Sequence, residues 1–141
     1  MLIRSFQLSD YAATSRLLEE VLTGECFEET MDAFANQLSW DSELIMVAVQ
    51  DGDIVGAIIG TIDNCRGYYY RIAVRSYENE QDVNAGLIQA LNKRFDARGV
   101  RSVVVPLDPH NETLVPMYRS LGYEDRHFET AVNNKLSILS S

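Results

Sequence analysis

Apolar and polar residues alternate over Leu2 to Phe6, the period-two pattern of a short first strand. Ser9 or Asp10 then suits a helix cap. Tyr11, Leu17, Leu18, Val21 and Leu22 form the apolar stripe of a first helix, which Gly24 is placed to end. Phe27, Met31, Phe34 and Leu38 recur at helical spacing and predict a second helix over 27–38, with Trp40 anchoring its end in the core. From Glu43 the pattern becomes that of β-structure. LIMVAVQ, the turn Asp51-Gly52-Asp53 and IVGAIIGTI read as a hairpin, Asn64-Cys65-Arg66-Gly67 as the next turn, and Tyr68 to Val74 as a third strand of the meander. Val83, Leu87, Ile88, Leu91 and Phe95 restore the helical period over 80–98, with Gly99 as its stop, and VVVPL returns to the sheet. A helix between strands 68–74 and 102–107 allows them to lie parallel, as a right-handed βαβ unit whose strands diverge at their C-terminal ends. A last helix carries Leu114, Met117, Tyr118 and Leu121 on one face and closes at Gly122, after which 128–139 can supply one more strand.

A chain of 141 residues in which 46% are apolar and 23% charged fits one domain over 1–141 with a packed core. The N-terminus lacks the apolar stretch of a signal peptide and no segment has the length of a membrane span, so a cytoplasmic protein is expected. Cys26 and Cys65 have no CxxC or CxH partner and read as reduced thiols. The formal charge of −9 opposes nucleic acid and anionic lipid as partners and favours a cationic substrate.

Two segments carry a family resemblance. Ile72-Ala73-Val74 is followed by a loop and a helix. Asn111-xx-Leu114-xxx-Tyr118-xxx-Gly122-Tyr123 is similar to an Asn-xx-Ala-xxx-Tyr-xxx-Gly-Phe run. Together with the element order, these resemble the GCN5-related N-acetyltransferase (GNAT) family over nearly the whole chain. The resemblance implies a mixed α/β fold in three layers with splayed parallel strands, and transfer of an acetyl group from acetyl-CoA to a small-molecule or peptide amine. It implies that the amides around Ile72, Ala73 and Val74 hold the acetyl and pantetheine groups, that Asn111 bonds the pantetheine arm and that Tyr118 protonates the departing thiolate. The residues alone allow Tyr118 to be a core aromatic and Asn111 a helix N-cap. A homodimer is compatible with the same reading.

The sequence departs from the family at the pyrophosphate loop. Where the family has Arg or Gln-Gly-x-Gly-x-Gly or Ala, this chain has Asn79, Glu80, Gln81, Asp82, Val83 and Asn84. Side chains would crowd the phosphates, Glu80 and Asp82 would repel them, and Asn79 is placed to cap the helix itself. Leu114 in place of a small residue narrows the groove, and Pro116 is expected to loosen the first turn of the last helix. Weak affinity for acetyl-CoA is therefore expected. The alternative function is a non-catalytic GNAT-fold module for binding or dimerisation. An amine acceptor needs a base or water chain to take its proton, and Glu25, Glu28, Glu29, Asp32 and Asp63 offer carboxylates among which the sequence does not choose. Neither GxGxxG nor GxxxxGK[ST] occurs, which disfavours another kind of nucleotide enzyme.

Overall fold

The computed structural model describes residues 1–76 and 79–130. Strands β1 (Leu2–Ser5), β2 (Ile45–Gln50), β3 (Asp53–Asp63), β4 (Arg66–Val74), β5 (Ser102–Leu107) and β6 (Phe128–Thr130) lie side by side in chain order. The pairs from β1 to β4 are antiparallel, and β4–β5 and β5–β6 are parallel. Helices α1 (Tyr11–Val21) and α2 (Gly24–Asp41) cover one face, while α3 (Glu80–Ala97) and α4 (Val115–Ser120) cover the other. The mixed three-layer fold is the one expected. The proposed strand over 128–139 is present as Phe128–Thr130, and its remainder lies outside the described residues.

Alternation, reset at a bulge in each of the β2–β3 and β3–β4 pairs, distributes the sheet between two cores. Ile45, Val47, Ala57, Ile59 and Ala73 pack with Leu17, Leu18 and Phe34 of α1 and α2. Met46, Ala48, Ile58, Tyr69 and Ile72 pack with Leu87, Leu91 and Phe95 of α3 and with Tyr118 of α4. α3 lies close because glycines face it: a Cβ at Gly60 would stand 2.8 Å from Leu91 and one at Gly67 2.8 Å from Phe95.

Several local expectations are corrected. Trp40 is 66% exposed, because α2 runs on to Asp41 and carries the indole round to the solvent side. Gly24 does not end the first helix. α1 stops at Val21, and Gly24, with φ of 33°, opens α2 behind Thr23. The β3–β4 turn is only Asn64-Cys65, both at positive φ, so Arg66 and Gly67 already belong to β4. Pro116 falls in the first turn of α4, where a missing N–H costs no helical bond, and does not loosen it.

Candidate active site

Pairing between β4 and β5 runs from Arg66–Ser102 to Tyr68–Val104 and ends there. Just beyond, β4 carries a bulge: Gly60 pairs with Tyr69 and Ile59 with Arg71, which leaves Tyr70 as the extra residue. The strands then separate toward their C-terminal ends. Such a split between parallel strands is where an α/β sheet forms a ligand crevice.

Three side chains from the turn after β5 reach across the split. Asn111 Nδ2 donates to the Tyr70 carbonyl at 2.9 Å and to the Pro106 carbonyl at 2.7 Å, clasping one strand to the other. His110 Nε2 donates to the Ile72 carbonyl at 3.0 Å. Asp108 accepts the Asn111 amide at 2.8 Å and pairs with Arg71 at 2.8 Å. Asn111 is therefore not the cap residue of a helix but the first residue of a 3₁₀ turn, Asn111–Leu114, that leads into α4. His110, Asp108 and Arg71 were not singled out in the sequence. Arg71 had a readable signal, a charge inside the apolar run YYYRIAV, where burial requires partners.

The Ile72 carbonyl faces β5, and in an extended strand alternate residues present their N–H and C=O groups to the same edge, so the amides of Ile72 and Val74 face the split as well. Ala73 points its side chain into the core under α1 and α2. Tyr118 projects from α4 and is 1% exposed, ringed edge-to-face by Tyr69, Tyr123 and Phe128. Burial holds its phenol pKa above the ordinary value, and its hydroxyl has no hydrogen-bond partner among the described residues. Its neighbours are bonded: Tyr123 lies 2.5 Å from the Tyr69 hydroxyl, which donates to Asn92 at 3.1 Å.

At the end of β4, the segment Asn79 to Asn84 is not a loop but the cap and first turns of α3. Asn79 occupies the cap position, but its side chain makes no capping bond. It donates to Gln50 at 2.7 Å, so the helix end is not satisfied by its own cap, contrary to expectation. Glu80, Gln81 and Asp82 form the first turn, with Gln81 and Asp82 exposed, while Val83 and Asn84 are buried against the sheet. The candidate carboxylate Glu29 lies near enough to Tyr70 to raise its pKa, although burial is the larger cause. Cys26 and Cys65 are free thiols. No described helix is long and apolar enough to cross a membrane, and the described residues hold no cluster suited to a metal ion.

The chain has relatives both in sequence and in fold. An acetyltransferase of Photorhabdus laumondii is 31% identical over 99% of this chain and 97% of that protein. Two similar folds are the ribosomal-protein-S18-alanine N-acetyltransferase of Escherichia coli (TM-score 0.70, 21% identity, 87% of this chain and 77% of that one) and the diaminobutyrate acetyltransferase of Paenibacillus lautus, solved with its substrate and coenzyme A (TM-score 0.66, 19% identity, 85% and 73%). Residues 8–138 match the family described as acetyltransferase (GNAT) domain, and the chain belongs to the GNAT acetyltransferases.

Proposed function

We propose that this GNAT acetyltransferase moves an acetyl group from acetyl-CoA to a primary amine, with the reaction at the β4–β5 split. The observation that carries the reading is the β4–β5 split, which the Ile72 and Val74 amides face. Tyr118, on α4, makes no hydrogen bond through its hydroxyl among the described residues, so that donor is left for a ligand atom. The α3 N-terminus, free of an Asn79 side-chain cap, suits a pyrophosphate by its dipole, whereas Glu80 and Asp82 oppose it. The residues therefore fit acetyl-CoA, with a weakened grip on its phosphates.

Acetyl-CoA, when bound, supplies the activated acetyl group. The Ile72 and Val74 amides would donate to the thioester oxygen as it gains charge, which is how backbone donors stabilise acyl transfer. The amine nitrogen would form the new bond to carbon and shed a proton as the bond to sulfur breaks. Tyr118 would hydrogen-bond the departing sulfur. Because its pKa is raised and a thiol has a pKa of about 8.5, Tyr118 gives a proton to a thiolate only if it regains one, and the proton shed by nitrogen is the available source. Asn111 spends both Nδ2 hydrogens on strand carbonyls, so it could donate to the pantetheine only by exchanging one of them, while its Oδ1, which accepts only from Arg71, could still accept a pantetheine N–H.

Calorimetry with acetyl-CoA, followed by thiol release in the presence of a panel of primary amines, tests the reading. Binding in the high micromolar range with amine-dependent release supports it. Absence of binding would favour the non-catalytic module, to which the clasped split and acidic first turn also point. Tyr118→Phe should lower kcat by about 10²–10⁴-fold while the acetyl-CoA KM changes little. An unchanged kcat would leave Tyr118 a packing residue.

A further inference from the structure

Arg71 is 2% exposed and sits at the bulge, in the middle of the apolar run of β4. Its Nε donates to Thr30 Oγ1 on α2 at 3.0 Å, and its Nη1 donates to Asp108 at 2.8 Å and to Asn111 Oδ1 at 3.3 Å. The guanidinium also lies 5.0 Å from the centroid of the Tyr70 ring. These contacts are directional. With Oδ1 turned to Arg71, the Asn111 amide must aim Nδ2 at the carbonyls of Tyr70 and Pro106, one on each side of the split. The second Asp108 oxygen holds the Asn111 backbone amide, so one cation fixes both the side chain and the main chain of the clasp. A planar guanidinium can address Thr30, Asp108 and Asn111 together, whereas a lysine ammonium lacks that fixed fork.

We propose that Arg71 is a positioning residue for acyl transfer: acting through Asn111 and Asp108, it sets the spacing of β4 and β5 where the split opens and holds the Ile72–Val74 edge in place for the acyl group. The proposal rests on the acetyltransferase reading above. It explains why a cation is buried in a strand that otherwise reads as core, and it places no role on Arg71 in contact with the reacting atoms.

The test combines Arg71→Lys, Asn111→Ala and the double variant, with the acetyl-CoA Kd from calorimetry, Tm, and the amide resonances of ¹⁵N-labelled protein without ligand. Arg71→Lys should weaken acetyl-CoA binding by about tenfold or more, and should cost less than about twofold on the Asn111→Ala background, since the two residues act in series. The Ile72 and Val74 amide resonances should shift in Arg71→Lys before any ligand is added. If Arg71→Lys does not fold, Thr30→Val, which removes only the Nε acceptor, is read in the same way. An equal loss on both backgrounds, or unmoved Ile72 and Val74 amides, would overturn the proposal and leave Arg71 a stabilising residue alone. Wild-type binding with Arg71→Lys unchanged would overturn it while the acetyltransferase reading stands. Failure of the wild-type protein to bind acetyl-CoA would overturn both.

Discussion

The carboxylate of Asp10 receives Arg4 Nη1 at 2.7 Å, Nη2 at 3.0 Å and the Gln7 amide at 2.8 Å, and these bonds, chiefly the one from Arg4, hold its pKa below the ordinary value. A carboxylate with a depressed folded pKa contributes stability above its unfolded pKa and loses it as pH falls through the folded value. Asp10→Asn should therefore cost about 1.5–3 kcal/mol at pH 7, with the gap closing below about pH 4, as urea unfolding across a pH series would show. For Tyr118 the raised pKa works the other way: kcat/KM should rise with pH as the amine deprotonates and show no fall from Tyr118 below about pH 10. Residues at this scale were hard to read because the sequence names a side chain but not its partner. Asp10 and Asn79 have cap chemistry and stand at cap positions, yet each turns its side chain elsewhere, toward Arg4 and Gln50. Tyr118 was legible as a buried aromatic, and its missing hydroxyl partner was not.

α3 is seated by absent side chains. Because a Cβ at Gly60 would stand 2.8 Å from Leu91 and 3.1 Å from Phe95, Gly60→Ala forces α3 outward and should destabilise the protein by about 1–3 kcal/mol in denaturant unfolding. The same seating delivers the α3 N-terminus to the end of β4. Since Glu80 and Asp82 lie in its first turn, Glu80→Gln with Asp82→Asn should tighten acetyl-CoA binding by about tenfold, and by less in high salt, as calorimetry at two ionic strengths would show. The gain comes with a small loss of Tm, because each first-turn carboxylate stabilises the helix by about 0.3–1 kcal/mol. Elements with sustained periods, such as α3 and the β2–β4 meander, were legible almost to the residue. The region after β5 was not, since its helix is short and its start is set by Asp108 and Asn111 bonding into the sheet, contacts that no period announces.

Across the whole molecule, 21 acidic residues face 12 basic ones, and several of the cations are already paired, among them Arg4, Arg66, Arg71 and Arg98. The surface field is therefore negative toward an approaching ligand, and the KM for a cationic amine should rise with ionic strength while that for acetyl-CoA falls. The bulge in β4 has a further consequence, for tolerance of length change. Tyr70 is the residue that β3 does not match, so removing it would make Tyr69 and Arg71 consecutive partners of Gly60 and Ile59, and every other side chain of the strand would keep its present face. Apart from Arg71, which shares the Tyr70 face, a one-residue deletion within the paired parts of 66–74 would instead send part of the strand's apolar side to the wrong layer. The Tyr70 deletion should yield a folded protein that binds no acetyl-CoA, which makes this single residue the chain's separable increment between a plain sheet and an enzyme.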